Sequence, residues 1–92
     1  MIQSGPAFVC SFIEGIAQGG QNAGLEKEMA TKLAAQTVYG GAKMVEETKL
    51  HPGQLKDNVC SPGGTTIEAV HRLEQVGLRN ATISAVEAAT LN

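Results

Sequence analysis

Apolar positions recur at the helical period from the start of the chain. Phe8, Phe12 and Ile16 fall at i, i+4 and i+8, with Val9, Ile13 and Ala17 beside them and Glu14, Gln18 and Gln21 opposite. Such spacing lays a broad apolar face along one side of a helix. Ser4-Gly5-Pro6 suits its start, since a serine can cap free amides and proline is tolerated in the first turn. The helix is expected to reach about Asn22, and Gly24 suits a left-handed position beyond it. Leu25-Glu26-Lys27-Glu28 then opens a second helix, with acidic residues where the helix dipole favours them, running to about Glu47. Its stripe of Met29, Leu33, Thr37, Gly40, Gly41 and Met44 is nearly bare backbone at the centre. Adjacent glycines inside a helix cost about 1 kcal/mol each relative to alanine. Close contact with another helix is the expected compensation, and a second copy of the chain can supply that helix.

His51-Pro52-Gly53 breaks the pattern, and Pro52 to Asn58 suits a short helix ahead of the loop SPGGTT. The next helix is expected to start near Thr65, where Thr65-x-x-Glu68 matches a capping box with the threonine hydroxyl engaged in capping, and Glu68 with Arg72 forms an i, i+4 pair. Gly77 ends it in the left-handed region, with Leu78 folding back on Leu73 to close a Schellman motif. An alanine-rich last helix over Asn80 to Thr90 carries Ile83 and Val86. Five helical segments without a strand pattern predict an all-α fold, a helical bundle of about five helices.

The chain has 92 residues, enough for one domain with a thin core. Aromatic residues are confined to Phe8, Phe12 and Tyr39, and small side chains abound, so the helices are expected to approach closely. Seven Lys and Arg against nine Asp and Glu give a net charge of -2, and no segment gathers basic residues. This argues against nucleic acid or an anionic membrane as partner. Cys10 and Cys60 form no CxxC and have no histidine at metal spacing, so neither a metal site nor a disulfide framework is expected. Both are read as buried free thiols in a reducing compartment, the cytoplasm, with the mitochondrion as the alternative. Asn80-Ala81-Thr82 fits a glycosylation sequon, but neither a signal peptide nor a membrane-length apolar run accompanies it. The glycines from Gly15 to Gly24 match no dinucleotide or phosphate-loop pattern. His71, three positions from both Glu68 and Glu74, reads as part of a charged face, His51 as a loop residue, Glu46 and Glu47 as a solvated helix end, and Met29 and Met44 as core or interface filler.

The stretch SPGGTT carries the most chemistry. A helix start leaves its first amides without intrahelical partners, and the dipole adds partial positive charge, so a carboxylate or phosphate can sit there. Gly63 and Gly64 let a ligand approach the backbone, and Thr66 presents a hydroxyl from the first turn. Physics alone leaves two readings open, a capped loop or a seat for a small anion.

The run KDNVCSPGGTTIEAVHRLEQVGLRNATISAVEAA from Lys56 resembles the signature of pyrroline-5-carboxylate reductases. Asp, Val, Ser-Pro-Gly-Gly-Thr-Thr-Ile, Leu-Glu, Gly, Arg and Ala-Val recur there at this spacing. SGPAF, the Gly-Leu at Gly24, AAQTVYGGAKM and HPGQLKDNV are also similar to the C-terminal portion of that family. Essentially the whole chain is covered. Phe8 departs from the pattern, standing where many members have tyrosine, and Cys60 falls where the family varies.

The resemblance implies a domain of an enzyme that reduces Δ1-pyrroline-5-carboxylate to L-proline with NADPH or NADH. It implies a homodimer whose helices interlock with those of the second subunit; assembly of dimers into a higher oligomer is left open. The dinucleotide-binding domain of the family has no counterpart in these residues, so the 92 residues alone are expected to be inactive and to hold coenzyme poorly. Carried over by position, Ser61, Gly63, Gly64 and Thr65 would contact the substrate carboxylate, and Thr66, the catalytic candidate, would hydrogen-bond the ring nitrogen. Ser4, Gly5, Pro6 and Ala7 would lie near the nicotinamide end, and no metal is implied. The rival reading is a non-catalytic oligomerisation or small-carboxylate-binding module with the same fold.

Overall fold

The computed structural model describes residues 4–60 and 64–91. They form five helices in chain order, α1 (Gly5–Asn22), α2 (Lys27–Thr48), α3 (Pro52–Val59), α4 (Thr65–Val76) and α5 (Leu78–Leu91). No strand occurs among the described residues, in agreement with the all-α expectation. The chain divides into two compact units at Lys49 and Leu50. Lys49 itself has φ 62, the only non-glycine residue with positive φ among those described. Its amide donates to the Val45 carbonyl, so this lysine ends α2 in the role glycine usually takes.

In the first unit α1 packs on α2 through small side chains. Ala30 and Ala34, one turn apart on α2, are buried, and Ala34 is only 1% exposed. On α1 the half-buried positions include Ile13, Ile16, Ala17 and Gly20, the i, i+3, i+4, i+7 stripe of an amphipathic helix. A Cβ at Gly20 would come within 3.3 Å of both the Ala30 Cβ and the Leu25 Cδ1, so the absent side chain sets how closely the helices approach. The turn between them is built by Gly24 at φ 111, and the Leu25 amide returns to the Gly20 carbonyl.

The stripe of Met29, Leu33 and Met44 does not contribute to this core. These side chains are 49%, 47% and 41% exposed, and a Cβ at Gly40 or Gly41 would meet nothing within 4 Å. The helix contact expected over these glycines is therefore not made among the described residues of this unit. Phe12 and Val9 are exposed as well, so α1 also presents apolar surface outside its seam with α2. Cys10 is exposed and Cys60 half-buried, which corrects the expectation of two buried thiols.

In the second unit Leu55 of α3, 8% exposed, is the one buried apolar residue among those described. Gly77 lies between α4 and α5 at φ 88, ψ 35. Its amide donates to the Leu73 and Glu74 carbonyls while its own carbonyl accepts from Ala81. One glycine thus ends α4 and begins α5, so the last helix starts at Leu78, two residues before the expected position. No Leu78 amide bond back to α4 occurs among the described residues, and the turn is a left-handed cap, not a full Schellman motif. Arg79 pairs with Glu74 across the turn at 3.2 Å. The expected Glu68–Arg72 bridge does not form; the ion pairs among the described residues are Glu74–Arg79 and Lys43–Glu47. Both are solvent-exposed and contribute little to stability.

Candidate functional site

Helix α4 begins one residue earlier than a capping box at Thr65 requires. Gly64 is its N-cap, with extended torsions of φ -86 and ψ 169, and no side chain caps the helix. Thr65 is consequently the first helical residue, and Glu68 falls one position past the place from which a capping carboxylate reaches back. The expected engagement of the Thr65 hydroxyl in capping is therefore overturned. The physical reason is Gly64, which takes the N-cap position that the spacing had assigned to the threonine.

This shift alters the surface that the helix start offers. The Gly64 carbonyl accepts from the Glu68 amide at 3.4 Å, the first intrahelical bond. The amides of Thr65, Thr66 and Ile67 receive no side chain or loop carbonyl among the described residues. Elsewhere in the chain threonine hydroxyls are occupied. Thr31, Thr37, Thr48, Thr82 and Thr90 each donate to the carbonyl four residues back, at 2.6 to 3.1 Å. Thr65 and Thr66 sit in a first turn, where no helical carbonyl lies four residues back, and both are exposed with uncommitted hydroxyls. Free amides, the positive end of the dipole and two free hydroxyls thus converge on one helix start. That combination can hold a small carboxylate and offer a hydroxyl to an adjacent polar atom. Glu68 is the one acidic residue of this turn and is exposed.

Of the remaining candidates, Ser61 and Gly63 lie outside the described residues, as does Pro62. Ser4, Gly5, Pro6 and Ala7 form the start of α1, in the other unit. Ser4 is the N-cap, but its side chain makes no capping bond; its torsions are already helical, φ -87 and ψ -25. Its carbonyl accepts from Ala7 at 3.0 Å and Phe8 at 3.3 Å. Pro6 occupies the first turn, where its missing N–H costs no helical bond.

His71 shares an open depression of about 440 Å³ on the side of α4 with Ile67, Glu68, Arg72 and Gln75. All five are exposed. This matches a solvated charged face, and no ion pair or hydrogen bond commits the His71 ring among the described residues. No group of three or more His, Cys, Asp or Glu side chains there could hold a metal ion. No described helix is long and apolar enough to cross a membrane.

A role that the sequence did not disclose belongs to His51. It is the N-cap of α3, and its Nδ1 accepts a hydrogen bond from the Gly53 amide at 2.9 Å. The signal was the run His-Pro-Gly before a helical segment, in which proline at the first position leaves the residue before it as the cap.

Comparison with known proteins gives a consistent result. The family model described as pyrroline-5-carboxylate reductase dimerisation matches residues 1–92. Pyrroline-5-carboxylate reductase 3 of Macaca fascicularis is 55% identical over 87 residues, covering 95% of this chain and 32% of that protein. Pyrroline-5-carboxylate reductase of Synechocystis is 56% identical over 86 residues, covering 94% of this chain and 32% of that protein. Among solved structures, pyrroline carboxylate reductase of Plasmodium falciparum with NADP bound superposes with a TM-score of 0.89 at 39% identity, covering 95% of this chain and 33% of the other. A pyrroline-5-carboxylate reductase from Coxiella burnetii gives 0.87 at 43% identity, covering 94% and 32%. The chain spans about a third of the length of these relatives. With the family model matched from end to end, the chain belongs to the pyrroline-5-carboxylate reductase dimerisation domain family.

Proposed function

We propose that these residues form the dimerisation and substrate-binding domain of an NAD(P)H-dependent pyrroline-5-carboxylate reductase, which produces L-proline. The observation that carries the substrate role is the start of α4, where the Thr65 and Thr66 amides and hydroxyls are uncommitted. The substrate is a five-membered cyclic imine bearing one carboxylate. Its carboxylate suits the free amides and dipole, with Gly64 allowing close approach and Ser61 and Gly63 assigned by family resemblance. The Thr66 hydroxyl then lies toward the ring nitrogen, which must hold a proton as the neighbouring carbon is reduced. A hydrogen-bonding group there fixes the ring and stabilises the developing amine.

The described residues do not by themselves fit the coenzyme. They form helices only and contain no strand followed by a glycine-rich turn, the arrangement that cradles a pyrophosphate. NADP(H) is the coenzyme we infer for the whole enzyme, because the Plasmodium falciparum relative is described with NADP bound. Ser4, Gly5, Pro6 and Ala7 remain the residues we assign to the nicotinamide end.

The partner we propose is a second copy. Val9, Phe12, Met29, Leu33 and Met44 leave apolar surface exposed, and the glycine pair beside them is open. Burying that surface against an identical chain would offset the helical cost of Gly40 and Gly41. We assign the enzyme to the cytoplasm, consistent with two free cysteines.

The test is the steady-state kinetics of Thr66→Ala in the full-length enzyme. Loss of one transition-state donor raises the barrier by about 2 to 4 kcal/mol, roughly thirtyfold to a thousandfold in kcat/KM. A variant within twofold of wild type removes Thr66 from the reaction.

A further inference from the structure

The start of α3 is held by one residue, His51, through its side chain and its carbonyl. Pro52 has no amide, so three donors need partners in the first turn: Gly53, Gln54 and Leu55. All three are satisfied by His51. The Gly53 amide donates to Nδ1 at 2.9 Å, and the Gln54 and Leu55 amides donate to the His51 carbonyl at 2.9 and 3.2 Å. The backbone of His51 is extended, φ -61 and ψ 138, as the following proline requires, and this aims the ring over the helix end. A Cβ at Gly53 would come within 3.1 Å of Nδ1, so the glycine makes room for the ring.

An imidazole nitrogen accepts a hydrogen bond only while it carries no proton. The observed bond therefore fixes the neutral ring with its proton on Nε2. Protonation would turn the acceptor into a donor facing the Gly53 N–H, and the cap would be lost. The charged residues of α3 itself are Lys56 and Asp57. None of the ion pairs among the described residues involves His51, and no other helix packs extensively on α3 within its unit. His51 is exposed to solvent.

We propose that His51 is a pH-sensitive cap, holding the first turn of α3 while neutral and releasing it on protonation. Leu55, the one buried apolar residue described in this unit, sits at the end of that turn, so release acts on the backbone that carries it. The device depends only on the geometry of α3 and stands or falls separately from the reductase reading.

Backbone amide exchange on the full-length protein tests it, with rates corrected for the intrinsic effect of pH. Wild type, His51→Asn and His51→Ala are compared at about pH 8 and about pH 5, the range across which histidine changes charge. Asparagine is among the best N-caps and does not titrate. In wild type, protection of the Gly53–Leu55 amides should fall about fivefold on acidification, the size of a typical cap loss. In His51→Asn it should hold at both pH values, and in His51→Ala it should be low at both. An equal fall in wild type and His51→Asn, or no fall in wild type, overturns the proposal.

Discussion

Replacing Gly41 by alanine separates the energetics of one chain from those of an assembly. A Cβ at Gly41 meets nothing within 4 Å in this chain. Taken alone, the substitution should favour α2 by about 1 kcal/mol, the difference in helix propensity between glycine and alanine. That gain applies to α2 whether free or assembled, so it cancels from the dissociation constant of a dimer. If a partner helix rests in the notch, each added methyl group meets packed atoms at a cost of about 1 to 3 kcal/mol. A symmetric dimer contains two such methyl groups, so its dissociation constant should rise at least about thirtyfold. Sedimentation velocity across a range of concentrations measures this directly, and thermal melting gives a second readout because the midpoint of a dimer depends on concentration. A dissociation constant unchanged or tightened, with the melting temperature raised, would show that no helix occupies the notch and would refute the assignment of this face to the interface.

Gly20 should behave differently, because its neighbours lie in the same chain. Gly20→Ala brings a methyl group within 3.3 Å of Ala30 and Leu25, and overpacking of about 1 to 3 kcal/mol should exceed the propensity gain of about 1 kcal/mol. Urea unfolding should show a net loss without a change in slope. Gly77→Ala should destabilise by about 1 to 2 kcal/mol, the cost of placing a side chain in the left-handed region at φ 88, read in the same assay.

The helices were legible in the sequence because their punctuation is local. Pro6, Gly24, Pro52 and Gly77 mark starts and ends through torsional limits that need no tertiary context, and the ends of α1 and α4 fell where those residues put them. The start of α4 was harder, since both Gly64 and Thr65 are competent N-caps and only the extended backbone at Gly64 decides between them. The difference of one residue matters to the candidate site, because it frees the Thr65 hydroxyl.

The two apolar stripes of α2 could not be ranked by period alone. Ala30 and Ala34 bury against α1, while Met29, Leu33 and Met44 stay exposed, although the latter are the larger hydrophobes. Small side chains win the intrachain contact because Gly20 invites close approach, and that pairing is a tertiary fact. His51 was hidden for a related reason. A histidine side chain caps a helix only in one tautomer and rotamer, which composition cannot specify. Helix-start physics singled out the Thr66 hydroxyl, while the substrate contact of Thr65 and the ring-nitrogen role of Thr66 came from family resemblance; the free amides and hydroxyls around them add a physical reason a carboxylate would bind there.

The most direct measurement is a crystal structure of the full-length protein with L-proline bound. The account predicts the proline carboxylate within about 3 Å of the Thr65 and Thr66 amides, a normal hydrogen-bond distance, with the Thr66 hydroxyl turned to the ring nitrogen. Proline bound elsewhere, with the first turn of α4 facing only solvent, would contradict it.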